Sequence, residues 1–155
     1  MKKILLVLVM FLLVGCGTTE GDKSLDVNAL RNDLTNLKID DVGIFSTTEN
    51  INDTDVIDSY GIDVNLLDDY LVYISTEVED PSMYMVVLPK KGEEAVVKYQ
   101  IDEFFSMYHA AYNGYYPEVA YMIENKKEEK VGDYLVYVVS KDNDKVYNVI
   151  KKNYK

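Results

Sequence analysis

Asp69-Tyr70-Leu71-Val72-Tyr73 and Asp133-Tyr134-Leu135-Val136-Tyr137 are one pentapeptide met twice, and each opens a longer run of β-branched and aromatic residues. Such runs favour strands, so strands are expected over residues 69–75 and 134–139. A third apolar run, Met83 to Leu88, is reached through a loop containing Asp80-Pro81 and closed by Pro89. In these runs both alternating sets are apolar or aromatic: Tyr70, Val72 and Ile74 on one side, Leu71 and Tyr73 on the other. An antiparallel sheet with one wet face alternates apolar with polar. Either helices cover both faces here, or one face is a tyrosine-lined surface left for a partner. The elements flanking the two pentapeptides do not match in order. The repeat therefore reads as two central strands with similar needs rather than as a duplicated half-domain.

Working outward, residues 93–112 form a long helical pattern broken by Asn113-Gly114, with the stripe Val97, Ile101, Phe104, Tyr108 and Ala111 facing the core. Pro117 suits the first turn of a shorter helix reaching about Asn125. Residues 126–131 are highly charged, as an edge strand guarded against pairing should be, and Gly132-Asp133 turns the chain into the last strand. Val146, Val149 and Ile150 mark a final helix. Before the sheet, Val27, Leu30, Leu34 and Leu37 form a helical stripe capped by Ser24 or Asp26 and expected to end at Asp40-Asp41 with Gly43. Tyr60-Gly61 closes a short helical turn. The expectation is an α+β fold in residues 24–155: a mainly antiparallel sheet of about four strands packed with helices in a single domain.

The N-terminus has a different character. Met1-Lys2-Lys3 precedes the apolar run Ile4 to Val14 and then Gly15-Cys16. A short basic head with ~7–15 apolar residues has the form of a secretory signal, and it is too short for the ~20 residues that span a bilayer. Leu13-Val14-Gly15-Cys16 resembles the lipobox of bacterial lipoproteins. The resemblance implies cleavage between Gly15 and Cys16 and a diacylglycerol on the Cys16 thiol. Two acyl chains make a stable anchor where one does not. Residues 1–15 are then a signal peptide and 16–23 a lipid-anchored tether, placing the domain on the extracytoplasmic face of the cell membrane. Removing residues 1–15 takes away Lys2 and Lys3 and leaves 14 basic against 27 acidic side chains, a charge of −13. Such a body is repelled from anionic lipid within about a Debye length, ~8–10 Å.

The whole chain has 155 residues and a net charge of −11. Nucleic acids are polyanions and normally require a basic patch, so a nucleic-acid role is not expected. One histidine, and a single cysteine already assigned to lipid, leave too few nitrogen and sulfur ligands for zinc. There is no phosphate loop or dinucleotide fingerprint, so neither cofactor nor metal is expected. The acidic stretch Ser46 to Asp58 departs from a calcium-binding loop: counted from Asp53, Ile57 falls where a ligand is wanted and Asp58 where glycine is wanted. It reads as a solvated loop. Asp102, Ser106 and His109 lie at i, i+4 and i+7, an acid, a nucleophile and a base on one helical face. That face centres roughly 130° from the apolar stripe, and Asp102 and His109 are ~10.5 Å apart along the axis. The trio is read as solvent-facing, and no catalytic residue is assigned.

Fourteen tyrosines and no tryptophan point elsewhere. Tyrosine joins apolar area to a polar tip and is enriched at interfaces. Tyr108, Tyr112, Tyr115, Tyr116 and Tyr121, gathered around Asn113-Gly114, are the candidate binding surface, alone or as an extension of a tyrosine-bearing sheet face.

Tyr60-Gly61-Ile62 before the first strand, Tyr116-Pro117-Glu118 after the long helix and Gly132-Asp133-Tyr134-Leu135-Val136 at the last strand together resemble the DUF4358 family, over about residues 60–139. These are domains of unknown function found on lipoproteins of Gram-positive bacteria. The resemblance implies a surface-lipoprotein setting and brings no catalytic residues. The function expected is a non-enzymatic binding or accessory module, held to the membrane through Cys16, with a protein or other cell-envelope component as partner. The alternatives are a cell-envelope hydrolase using carboxylates that cannot be singled out, and a small-ligand receptor feeding a membrane transporter.

Overall fold

Met83 to Val87 are buried without interruption, and they form the middle of the sheet. The computed structural model describes residues 24–45, 57–58 and 60–155, and the backbone of 48–50. A two-stranded hairpin, β1 (Lys38–Ile39) and β2 (Val42–Gly43), stands apart from the main sheet. The main sheet comprises β3 (Thr48–Asn50), β4 (Leu67–Ser75), β5 (Met83–Pro89), β6 (Lys127–Val131) and β7 (Tyr134–Val139), in the order β3-β4-β5-β7-β6. Every neighbouring pair is antiparallel. The α+β architecture read from the sequence is the one observed, with the short edge strand β3 as a fifth member.

Helices cover both faces. On one, α2 (Glu94–Asn113) and α3 (Pro117–Glu124) pack Val97, Ile101, Phe104, Phe105, Val119 and Ile123 onto Val72, Ile74, Met83, Met85, Leu135, Tyr137 and Val139. On the other, α1 (Val27–Thr35) and α4 (Asn143–Lys152) pack Leu30, Leu34, Val146 and Ile150 onto Leu71, Tyr73, Tyr84, Val86, Val136 and Val138. This explains why neither face of the strands is polar. It also removes the sheet as a binding surface: Tyr73, Tyr84, Tyr134 and Tyr137 are core residues.

The two pentapeptides are placed one residue out of step. Across β5, Tyr70 and Leu135 share a level through Val87, and Leu71 and Val136 share one through Val86. Side chains alternate with a period of two, so a one-residue offset reverses the face. Leu71 and Tyr73 therefore enter one core and their counterparts Leu135 and Tyr137 the other. Identical residues serve because both faces are equally dry.

Two expectations need correction, and one short element is added. The first helix ends at Thr35, with Asn36 as its C-cap; Asp40 and Asp41 instead form the β1–β2 turn, both at positive φ (51° and 63°), as a two-residue hairpin turn demands. Ala111 is exposed and Phe105 buried, because the buried face of α2 is centred between Phe104 and Phe105. The segment before β4 contains a 3₁₀ turn, Val64–Leu66, too short to carry a periodic signal.

The first and last described residues pair. Ser24 and Lys155 exchange backbone hydrogen bonds (2.9 and 3.1 Å), and Asp26 N–H donates to the Asn153 carbonyl (3.1 Å). Tyr154 then lies over the β6–β7 turn, where Gly132 has φ +59° and a Cβ would overlap the tyrosine ring. Glycine is required there on both counts.

Candidate functional site

Phe104, Tyr108 and Tyr112 recur at steps of four along α2, and side chains four apart on a helix are neighbours. They form a ladder: Phe104 stacks on Tyr108 (5.5 Å between centroids, 16°), Tyr108 meets Tyr112 edge-on (5.0 Å, 74°), and Tyr112 approaches Tyr116 (6.1 Å, 59°). The inner end is anchored by Tyr60 edge-on to Phe104 (5.4 Å) and by Phe105 against Tyr137 (5.6 Å). The ladder leads from the core to the surface. Burial, a hydrogen bond with Tyr112 and the nearby Asp80 carboxylate all push the Tyr108 phenol above its ordinary value.

At Asn113 the helix ends and the chain wraps tightly: the Tyr115 and Tyr116 N–H groups both donate to the Tyr112 carbonyl (3.0 and 2.8 Å). Tyr116 becomes the N-cap of α3 and Pro117 sits in its first turn, where the missing N–H and fixed φ suit a helix start. The wrap turns Tyr115 and Tyr116 outward. Tyr115 is 84% exposed, Tyr121 67% and Tyr116 36%. A cleft of about 390 Å³ opens here, with a mainly apolar lining of Tyr115, Tyr116, Pro117, Val119 and Met122 and with Glu79, Glu118 and Lys141 at its charged edges. Its size falls within the range of small ligand sites. Glu79 comes from the β4–β5 hairpin, whose loop is held by Asp80 accepting from the Ser82 N–H (3.0 Å).

Of the five tyrosines expected at a surface, three are presented and two support them. Tyr108 and Tyr112 are half-buried against the first core, so their rings hold the wall in place. Glu79, Val119, Met122 and Lys141 belong to the cleft and were not singled out by sequence. The four-residue aromatic spacing running on past the helix end to Tyr116 was the signal that could have drawn in the α3 residues. Glu79 and Lys141 arrive through tertiary contacts alone. Gly15, Cys16 and most of the acidic loop (residues 46–47 and 51–56) lie outside the described residues.

Asp102, Ser106 and His109 do share one rim, that of a shallow depression of about 380 Å³ between α2 and α3. Asp102 and Ser106 are exposed and His109 half-exposed. Asp102 faces Lys98 (3.6 Å), and Lys98 also pairs with Glu128, its ammonium held above the usual lysine range chiefly by that bond. Among the described residues no hydrogen bond links the trio to one another. A larger open hollow of about 610 Å³ lies beside Asp40 and residues 125–127 and 141–144, where Lys127 is already paired with Asp144 (2.9 Å). Of these three concavities the tyrosine cleft combines exposed aromatic area with charges at its edge, Glu79, Glu118 and Lys141, that form no ion pair among the described residues.

No helix among the described residues is long and apolar enough to cross a membrane. No curated protein and no solved structure matches the chain. The family model for a domain of unknown function, DUF4358, matches residues 41–140, a span holding the five-stranded sheet with α2, α3 and the whole tyrosine ladder but neither α1 nor α4. By that match the chain belongs to the DUF4358 family.

Proposed function

We propose that this protein is a lipid-anchored binding module of the extracytoplasmic face: Cys16 carries the anchor, and the surface from Tyr115 and Tyr116 to Tyr121 contacts a protein or another component of the cell envelope. The observation that carries the binding half is the exposed aromatic wall. Tyr73, Tyr84, Tyr134 and Tyr137 of the sheet are buried under helices, yet Tyr115 and Tyr116 are turned to solvent on the wall of a formed apolar cleft, and Tyr121 is exposed on the neighbouring helix. Exposed apolar area rimmed by polar groups marks interaction sites. A body of charge −13 with two carboxylates at the cleft edge favours an uncharged or cationic partner.

The two halves are tested separately. Cys16→Ala should leave unprocessed precursor or release soluble protein on cell fractionation; a membrane-bound, correctly processed variant would contradict the anchor. Tyrosine nitration followed by peptide mapping tests the site. In intact cells Tyr115, Tyr116 and Tyr121 should be protected relative to the purified domain, whereas Tyr99, 63% exposed on α2, should react equally in both. Equal reactivity of all four in both settings would contradict a contact at this surface.

A further inference from the structure

This protein twice holds an ammonium group in the same way. Lys98 lies over the Tyr137 ring (5.8 Å) and Lys127 over the Tyr147 ring (5.0 Å). The tip of each also meets carboxylates: Lys98 those of Asp102 and Glu128, Lys127 those of Asp144 and Glu129. Each part has its physical reason. The face of an aromatic ring attracts a cation, the alkyl stem covers apolar area while the charged head stays in water, and a carboxylate then takes the head. The tyrosine cleft presents the same parts without the ammonium in place. Tyr115, Tyr116 and Met122 offer rings and apolar surface, and Glu79 and Glu118 stand exposed at the edge. The hairpin that brings Glu79 also carries Glu77 and Asp80. Lys141 is the single cation of the lining. Among the described residues it lies over no ring, and neither it nor either glutamate takes part in an ion pair.

We infer that the tyrosine cleft takes a lysine side chain of a partner polypeptide, its stem lying on the Tyr115–Tyr116 wall and its ammonium held between the rings and the Glu79 and Glu118 carboxylates. The inference rests on the contact surface proposed above and names what that surface recognises. Charge decides among the occupants that suit an aromatic cleft. An anionic segment would meet two glutamates on a body of net negative charge. A neutral apolar segment would cover the wall but draw both carboxylates partly out of water with nothing to compensate them. A lysine satisfies wall and edge together. Lys141 is then a competitor that repels the incoming ammonium, so removing its charge strengthens binding. That sign separates a lysine from a zwitterionic ligand, whose own carboxylate would need Lys141.

The test is fluorescence anisotropy of a capped, dye-labelled glycine–serine peptide carrying lysines, titrated with the full-length protein in zwitterionic detergent. The same peptide with every lysine acetylated keeps the stems and loses the charge. The lysine peptide should bind severalfold more tightly than the acetylated one. Tyr115→Ala and Glu79→Gln should each weaken it severalfold, and Lys141→Gln should tighten it. Glu103→Gln, an equal change of net charge at an exposed site on α2, should leave it unchanged. Equal weakening by Glu79→Gln and Glu103→Gln would reduce the effect to the general field of an acidic body and overturn the site. Weakening by Lys141→Gln would overturn the lysine in favour of a ligand with an anion of its own. Equal binding of the two peptides, still lost in Tyr115→Ala, would overturn the ammonium and leave the contact surface standing. No binding of the lysine peptide would overturn the inference, with protection from nitration in cells still testing the surface by itself. Binding untouched by Tyr115→Ala would refute the inference and count against the contact surface with it.

Discussion

Tyr134 shows how much one side chain carries here. Its hydroxyl donates to Asp69 Oδ2 (3.0 Å) across β5, joining the second residue of one repeated pentapeptide to the first of the other. Burial first, and then that bond to a carboxylate, push its phenol up to about 12. Tyr137 is pushed up to about 12, chiefly by burial, and Tyr84 and Tyr108 are also raised by burial. The sign follows from linkage. A folded-state value above the ordinary ~10 of tyrosine means that the fold favours the protonated phenol. That contribution is complete below about pH 10 and is lost as pH rises towards 12 and beyond. Titration followed by tyrosinate absorbance should show a late fraction that ionises together with loss of secondary structure. If all tyrosines ionised before any loss of circular dichroism, these phenols would not be held by the fold.

At the scale of elements, the segment matched by the family model ends before α4 and begins after α1. Alone it would cover that face only with Ile44 and Phe45, leaving Val86, Val136 and Val138 without Leu30, Leu34, Val146 and Ile150 above them, an apolar surface that small soluble domains rarely leave open. The terminal helices should therefore be integral to stability. Ile150→Ala, at a fully buried position on α4, should lower the urea-unfolding free energy by about 2–5 kcal/mol; a loss below about 0.5 kcal/mol would mean that α4 is a loosely docked cover. Element order was legible because the long signals were strong. The continuous apolar runs of β5 and β7, Pro117 at a helix start and the charged Lys127–Val131 edge each state their role locally. Coverage of the second face was not. Whether an all-apolar strand is sandwiched or awaits a partner depends on α1 and α4, which lie more than sixty residues apart in the chain. Asp40-Asp41 misled for a related reason, since a pair of aspartates ends a helix or turns a hairpin with equal ease. For the site, Tyr115, Tyr116 and Tyr121 were legible as a cluster by proximity in sequence. The distinction between the presented rings and the supporting Tyr108 and Tyr112 depended on which face of α2 meets the sheet.

At the scale of the whole molecule, the architecture assigns separate tasks to separate places. The two cores close the sheet, the backbone pairing of Ser24 with Lys155 sits beside the β6–β7 turn, and the aromatic ladder runs from Phe104 out to Tyr116. On the anchor proposed above, net acidity would keep the body off an anionic surface. The central claim is that the outward tyrosine end makes a specific contact in the envelope. A photo-crosslinking side chain placed at position 115 of the full-length protein in living cells, with the exposed position 99 as control, tests it most directly. The account predicts one discrete adduct from position 115 that disappears on adding Tyr116→Ala, and none from position 99. The same diffuse products from both positions, unaffected by Tyr116→Ala, would contradict it.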